Sequence, residues 1–172
     1  MADLLVKLYQ LPDASARLAA LSARGISVRA AAPTEGDLVA RWVTKHFNES
    51  WGRAAGIAAL RHPSTCYLAI EQHEGHTATH PYDLPPETLV GFACYDSDVL
   101  GMFGPIGVHP DRQDRGIGTA LLHRTLRGMA EEGYAYAIIG WAGPVDWYAR
   151  EVGATLIEGS EPGPFRGSLR VE

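Results

Sequence analysis

The chain has 172 residues, of which 46% are hydrophobic and 20% charged, and this length and composition are those of a single globular domain. The formal net charge of −5 argues against a general nucleic-acid binder, and no apolar stretch approaches the roughly 20 residues needed to span a bilayer. A secretory signal pattern is not apparent, and both cysteines lie in apolar runs, which favours buried thiols over a disulfide. We expect a soluble cytoplasmic α/β protein that binds neither nucleic acid nor membranes.

The N-terminal segment predicts one strand and one helix. Residues 4–9 have the pattern of a short strand, and the alanine- and leucine-rich run that follows predicts a helix ended by Gly25. We interpret residues 1–25 as an N-terminal strand–helix extension and residues 26–172 as the main domain. The extension is a candidate for covering a sheet edge or for contact within a homodimer.

The main domain begins with a strand, Ile26–Ala31, and a helix for which Thr34 is the candidate N-cap. Residues 52–61 indicate a second helix. Two strands follow, Cys66–Gln72 and Thr88–Asp96, separated by a long polar loop that contains prolines.

Three histidines in that loop, His73, His76 and His80, invite interpretation as a metal site. Gly75 and Pro81 indicate an irregular loop, however, and no cysteine lies near. We therefore expect no metal, and we regard this loop as a candidate lining of a substrate pocket.

The second half alternates strands and helices. The pattern predicts a strand over Gly101–Val108, a helix over Ile117–Glu132, a strand over Tyr134–Trp141 and a short helix over Val145–Val152, before a short strand, a loop and a closing strand. This alternation is typical of a mixed α/β sheet with helices on both faces. The long helix is amphipathic, and its predicted polar face consists of His123, Arg124, Arg127 and Glu131.

Two glycines stand where the long helix is about to begin. A helix N-terminus presents unpaired N–H groups, and Gly116 and Gly118 would let phosphate oxygens approach that main chain. A tight turn with close helix–sheet packing is the alternative explanation. A P-loop fits less well because Thr119 stands where it needs a lysine, and a dinucleotide fingerprint fits less well because Leu121 stands where it needs a third glycine.

The run GVHPDRQDRGIGTALL resembles motif A of the GNAT superfamily of N-acetyltransferases, which reads Gln or Arg, two residues, Gly, one residue, then Gly or Ala. Gln113, Gly116 and Gly118 fill this signature. The resemblance extends over about residues 26–160. It implies a mixed, mostly antiparallel central sheet that is splayed between its fourth and fifth core strands, with helices on both faces.

The residues of the two central strands agree with such a splay. Pro105 cannot donate to a sheet ladder and is flanked by Gly104 and Gly107, while the neighbouring strand runs into Gly140 and further turn residues. Two adjacent strands that are both interrupted near one end can separate into a V. In the resembled family the pantetheine arm of the cofactor enters such a cleft and pairs with the free strand edge.

The resemblance also implies the cofactor, acetyl-CoA, and the main chain that binds it. The Val108 N–H is the candidate donor to the oxygen that gains charge during acyl transfer. The candidate cofactor-binding residues are Val108, Gln113, Asp114, Arg115, Gly116, Ile117, Gly118 and Thr119.

For catalysis, the resemblance suggests Tyr148 as the general acid that protonates the departing thiolate; half-buried packing beside Trp147 is the alternative. An asparagine common before this tyrosine in the family is missing, and the spacing to Gly153 is one residue longer than usual. Asp96 and Glu49 are the candidate general bases, and deprotonation through water is an equal alternative.

These features predict an N-acetyltransferase that moves an acetyl group from acetyl-CoA to a primary amine of a small molecule. The segments YAYAIIG and EGSEPG resemble GNAT proteins that act on glucosamine-type amino sugars, so an amino sugar is the first candidate acceptor. The alternatives are a non-catalytic acyl-CoA sensor and an interaction module with a vestigial cleft.

Overall fold

The computed structural model describes residues 1–72 and 87–164, which form seven strands and five α-helices. The strands are β1 (Leu4–Lys7), β2 (Ile26–Ala30), β3 (Cys66–Gln72), β4 (Glu87–Tyr95), β5 (Met102–Val108), β6 (Tyr136–Ile139) and β7 (Thr155–Leu156). The helices are α1 (Ser15–Ser22), α2 (Gly36–His46), α3 (Glu49–Leu60), α4 (Ile117–Glu131) and α5 (Val145–Val152). The histidine-containing loop and the closing strand of the sequence prediction lie outside the described residues.

The strands form one sheet in the order β2-β3-β4-β5-β6-β1-β7. Neighbours are antiparallel except β5 and β6, which are parallel and pair only at Met102↔Ile138 and Phe103↔Ile139. From Gly104 onward β5 pairs with β4 alone. The core strands counted from β2 are therefore splayed between the fourth and the fifth, which confirms the predicted architecture.

The N-terminal strand lies inside the sheet. Leu4 of β1 is opposite Ile139 of β6 on one side and Leu156 of β7 on the other. Because β1 pairs along both edges, the N-terminal segment completes the sheet and does not simply cover its edge.

Helices cover both faces, as predicted. One core cluster joins α1, α4 and α5 to the sheet and includes Leu121, Leu126 and Tyr148. The other joins α2 and α3 to the opposite face and includes Val43 and Phe92. No helix in the described part of the chain is long and apolar enough to cross a membrane.

The two cysteines are opposite each other on neighbouring strands of the sheet. Cys66 in β3 pairs in register with Cys94 in β4, and both are buried and free. The expectation of two buried thiols is confirmed.

The start of the first main-domain helix differs from the prediction. Pro33–Glu35 forms a short 3₁₀ turn, and α2 follows it directly. The carboxylate of Glu35 accepts a hydrogen bond from the Ala32 N–H at 2.7 Å and is held by Arg29. Thr34 is therefore not the N-cap, because Glu35 caps the turn from inside it.

His123 is buried, contrary to its predicted place on a polar face. Its exposed fraction is only 5%, because the N-terminal segment around Leu18 packs over this side of α4. Burial lowers the pKa of the His123 imidazole, and the neighbouring Arg17 and Arg127 lower it further. The helix therefore buries more of its circumference than its own sequence indicates.

This burial predicts a pH dependence of stability. The unfolded state binds the His123 proton near pH 6.5, whereas the folded state binds it only at lower pH, so the free energy of unfolding falls as the pH drops below about 6.5. We expect the melting temperature to fall less in His123→Gln than in wild type when the pH is lowered from 7.5 to 5.5. His62 is exposed, so His62→Gln is the control, and its melting temperature should differ between the two pH values by as much as that of wild type. An undiminished difference in His123→Gln would contradict this explanation.

Candidate active site

A cleft of about 840 Å³ opens where β5 and β6 separate, a volume typical of small-molecule sites. Its lining comes from β5, from the segment after β6, from the starts of α4 and α5, and from the α2–α3 junction. Since α4 and α5 lie on one face of the sheet and α2 and α3 on the other, the cleft connects the two faces.

Strand β5 presents an unpaired main-chain edge to this cleft. The His109 N–H donates to the Val90 carbonyl of β4 at 2.8 Å. Hydrogen-bonded and non-hydrogen-bonded pairs alternate along an antiparallel ladder, so the N–H of the preceding residue, Val108, points away from β4. Val108 lines the cleft, and its N–H is thus placed to bind a ligand there.

The turn before α4 offers further main-chain donors. Asp114 and Gly116 have positive φ angles of 59° and 79°, which bend the main chain into a concave turn. No side chain of the described residues caps α4, and its first turn contains no acidic residue. The N–H groups of Ile117–Thr119 therefore lie without helical partners at the edge of the cleft, as an anion would require.

Close packing does not explain Gly118. A Cβ built there would lie 3.6 Å from Val108 Cγ2 and 4.0 Å from Trp147 Cζ2, which are ordinary contacts. A Cβ at Gly116 would meet no atom within 4 Å, so only the positive φ angle favours glycine at this position. Helix α4 packs tightly on the sheet elsewhere, at Gly91 of β4, where a Cβ would lie 2.9 Å from Leu121, and at Gly128 against Tyr67. The space in front of Gly118 belongs to the cleft, and the unpaired main-chain donors beside it suit an anion.

Ion pairs anchor the turn to the sheet. Arg112 Nε and Nη2 both lie 2.9 Å from Glu71 Oε2 in β3, and Arg115 Nη1 lies 3.9 Å from the other oxygen. The Arg115 carbonyl accepts from Arg24 at 3.3 Å. Arg115, a predicted cofactor residue, thus lies against Glu71 and does not line the cleft. The predicted cofactor residues that line it are Val108, Gln113, Asp114, Gly116, Ile117, Gly118 and Thr119.

Tyr148 of α5 lines the same cleft. Its side chain is 5% exposed, and its ring packs between Phe103 and Trp147, with centroid distances of 6.4 and 4.8 Å. Burial raises the pKa of the phenol to about 12, so it holds its proton at neutral pH. The hydroxyl has no hydrogen-bond partner among the described residues, which leaves it available to a molecule in the cleft.

Neither predicted base lines the cleft. Asp96 is buried, and its two carboxylate oxygens accept hydrogen bonds from the Gly101 N–H and the Tyr134 hydroxyl, each at 2.6 Å. The first bond closes the turn between β4 and β5, and the second ties this turn to the segment before β6. Glu49 is 82% exposed and lies 3.5 Å from Arg53 on the same helix. The structure thus gives Asp96 a structural contact and turns Glu49 to solvent, so neither carboxylate is brought to the cleft.

Several lining residues lie beyond what the sequence predicted for the site. Phe47 has the spacing of a core residue of its helix, and only the packing of α2 and α3 brings it and Trp51 to the cleft. Trp141 and Arg112 line other parts of it. In the described ranges no group of three or more His, Cys, Asp or Glu side chains could hold a metal ion.

Known proteins share this fold. A glucosamine N-acetyltransferase region of a fungal multi-domain β-N-acetylglucosaminidase matches 91% of this chain and 19% of its own, with a TM-score of 0.69 and 16% identity. A GCN5-related N-acetyltransferase from Sphaerobacter thermophilus matches 91% of this chain and 48% of its own, with a TM-score of 0.61 and 20% identity. The chain thus spans less than half the length of these solved chains.

A Drosophila protein matches 91% of this chain and 47% of its own, with a TM-score of 0.60 and 12% identity. No curated protein is significantly similar in sequence. The family model of the acetyltransferase (GNAT) family matches residues 36–150, from the start of α2 into α5, which is more than half of the chain. The chain therefore belongs to the GNAT acetyltransferase family.

Proposed function

We propose that this protein is an N-acetyltransferase that moves an acetyl group from acetyl-CoA to the primary amine of a small molecule. The observation that carries the proposal is the gap between β5 and β6 after Phe103. This gap brings an uncapped helix N-terminus, a free strand edge and a buried phenol into one cleft.

The main chain would hold the cofactor. The N–H groups from Asp114 to Thr119 are concentrated at the positive end of the α4 dipole, which suits a diphosphate, whereas the Gln113 N–H already donates to the Pro110 carbonyl at 3.4 Å. The unpaired edge of β5 suits the amide groups of a pantetheine arm, in the manner of an added strand. Asp114 would contribute its main chain, since its positive φ angle forms the concave turn.

The bound acetyl-CoA would supply a thioester whose carbonyl carbon forms the new C–N bond as its C–S bond breaks. The Val108 N–H would donate to the carbonyl oxygen as it gains charge. Tyr148 would give its phenolic proton to the departing thiolate, the attacking nitrogen would release its second proton to water as the amide forms, and Tyr148 would recover a proton from solvent. An alkyl ammonium must first lose a proton, at about 4 kcal/mol near neutral pH; we assign that proton to water.

An amino sugar is the first acceptor to test. The glucosamine N-acetyltransferase region named above has the same fold over 91% of this chain, and the sequence segments near the C-terminus point the same way. The direct experiment measures free thiol from acetyl-CoA with amino sugars, polyamines, amino acids and aminoglycosides. Thiol release with one class of amine would support an N-acetyltransferase. Binding of acetyl-CoA without thiol release in the presence of any of the amines would favour the acyl-CoA sensor.

Tyr148→Phe tests the general acid. The substitution removes only the hydroxyl and keeps the ring between Phe103 and Trp147, so we expect kcat to fall by about 10²–10⁴-fold. The KM for acetyl-CoA should stay within about twofold, because binding does not depend on that proton. Steady-state kinetics at neutral pH provide the measurement.

The matched control is Tyr9→Phe, which removes an exposed hydroxyl far from the cleft. It should retain wild-type kcat. An unchanged kcat in Tyr148→Phe would remove Tyr148 from the mechanism.

Gly118→Ala tests the anion site. The added methyl group meets only ordinary contacts and improves helix propensity by up to about 1 kcal/mol, so the melting temperature should be unchanged or higher. The same methyl enters the cleft, so we expect coenzyme A binding to weaken about tenfold or more, a change of about 1.4 kcal/mol. Calorimetric titration measures it.

Gly128→Ala is the contrasting control on the same helix. A Cβ there would collide with the ring of buried Tyr67, so this variant should lose about 1–3 kcal/mol of stability. It should keep its coenzyme A affinity, because Gly128 does not line the cleft. If Gly118→Ala bound coenzyme A as wild type does, the proposed diphosphate site would be wrong.

A further inference from the structure

The two ends of the cleft differ in chemistry. On the α4 face the lining consists of main-chain N–H groups around Gly116 and Gly118. On the α2–α3 face it consists of the aromatic side chains of Phe47 and Trp51. A molecule that meets the thioester from the end opposite the diphosphate therefore passes these two rings.

The two rings are held in place by their surroundings. Phe47 and Trp51 have a centroid distance of 5.5 Å and an interplanar angle of 32°. Both pack on fully buried Phe92, at 5.6 and 6.3 Å. The main-chain N–H of Trp51 donates to the Asn48 side-chain oxygen at 2.9 Å, and this N-cap bond fixes the first turn of α3. Little conformational entropy would be lost when a ligand packs on this pair.

Phe47 also lies directly on the strand that carries the free edge. A Cβ on Gly107 would be 2.5 Å from the Phe47 ring, so the ring packs on the bare main chain of β5. The next residue is Val108, whose N–H points into the gap. The aromatic pair therefore adjoins the position where a carbonyl bound by Val108 would lie.

We propose that Phe47 and Trp51 form the acceptor subsite, and that the acceptor is a ring-bearing amine whose flat face stacks on Trp51. This inference rests on the proposed function. A planar aromatic ring and the C–H face of a pyranose share this chemistry, and stacking on a fixed ring increases affinity by a factor of about two to ten.

Charge supports a compact monoamine over a polyamine. Among the described residues that line the cleft, the charged side chains are Arg112 and Asp114, and both lie on the turn at the other end. Arg112 is already paired with Glu71. The described part of the aromatic end thus presents rings to the acceptor, whereas the second ammonium group of a linear diamine would need a carboxylate there.

The test compares ring-bearing amines with linear amines in wild type and in Trp51→Leu, which keeps an apolar side chain but removes the flat ring. The probes are glucosamine against ethanolamine, and 2-phenylethylamine against n-butylamine. We expect wild type to prefer at least one ring-bearing amine about tenfold in kcat/KM. Trp51→Leu should remove most of that preference, so kcat/KM should fall clearly more for the ring-bearing amines than for the linear ones.

Two controls separate stacking from folding. Trp51→Phe retains a flat ring and should keep the ring preference. Ile57→Ala changes an exposed apolar residue of the same helix and should behave as wild type. The ring-bearing amine whose preference over its linear partner is lost in Trp51→Leu identifies the acceptor class: glucosamine indicates an amino sugar, and 2-phenylethylamine indicates an arylalkylamine.

Other outcomes overturn the inference. A linear amine that surpasses both ring-bearing amines, or an equal fall for all amines in Trp51→Leu, would assign Trp51 a structural role only. If no amine is turned over, the proposed function fails separately, and calorimetry with the coenzyme A-saturated protein decides the subsite. Binding of a ring-bearing amine that weakens in Trp51→Leu would support the subsite, and no binding would refute it.

Discussion

Strand β5 cannot continue its pairing with β6 beyond Phe103. Gly104 has a φ angle of 124°, far from that of a regular strand, and Pro105 has no N–H to donate to a neighbour. Because β6 itself ends at Ile139, the two strands share only two paired positions before they separate. The cleft, its connection of both faces and the free main-chain edge all follow from this interruption.

The interruption concentrates unused hydrogen-bond donors in one place. An unpaired N–H that is withdrawn from water costs about 1–3 kcal/mol, so a fold retains such groups where water or a ligand satisfies them. Here they belong to the main chain of β5 and of the turn before α4, and Glu71 fixes that turn through Arg112. A site built from main chain requires no side-chain rearrangement to receive an anion.

Local sequence order was enough to predict the strand, the glycine-containing turn and the long helix α4, because these follow one another within about thirty residues, and the resemblance to the GNAT superfamily added the splayed sheet. Features that depend on distant contacts were beyond it. The hydrogen bond that Asp96 accepts from the hydroxyl of Tyr134, 38 residues away, is one such feature. His123 is buried only because the N-terminal segment packs over α4, and Phe47 reaches the cleft only because α3 packs beside α2. Each of these three placements depends on contacts that form only when the whole sheet and its helices are assembled.

The central claim is that main-chain amides before and within the first turn of α4 bind a diphosphate. Backbone amide NMR shifts test it directly when coenzyme A and pantetheine, which lacks the diphosphate, are titrated in parallel. The account predicts that coenzyme A moves the amide signals of Gly116, Gly118 and Thr119, whereas pantetheine moves only signals of β5. If neither ligand moved the turn signals, or if both moved them equally, the claim would be contradicted.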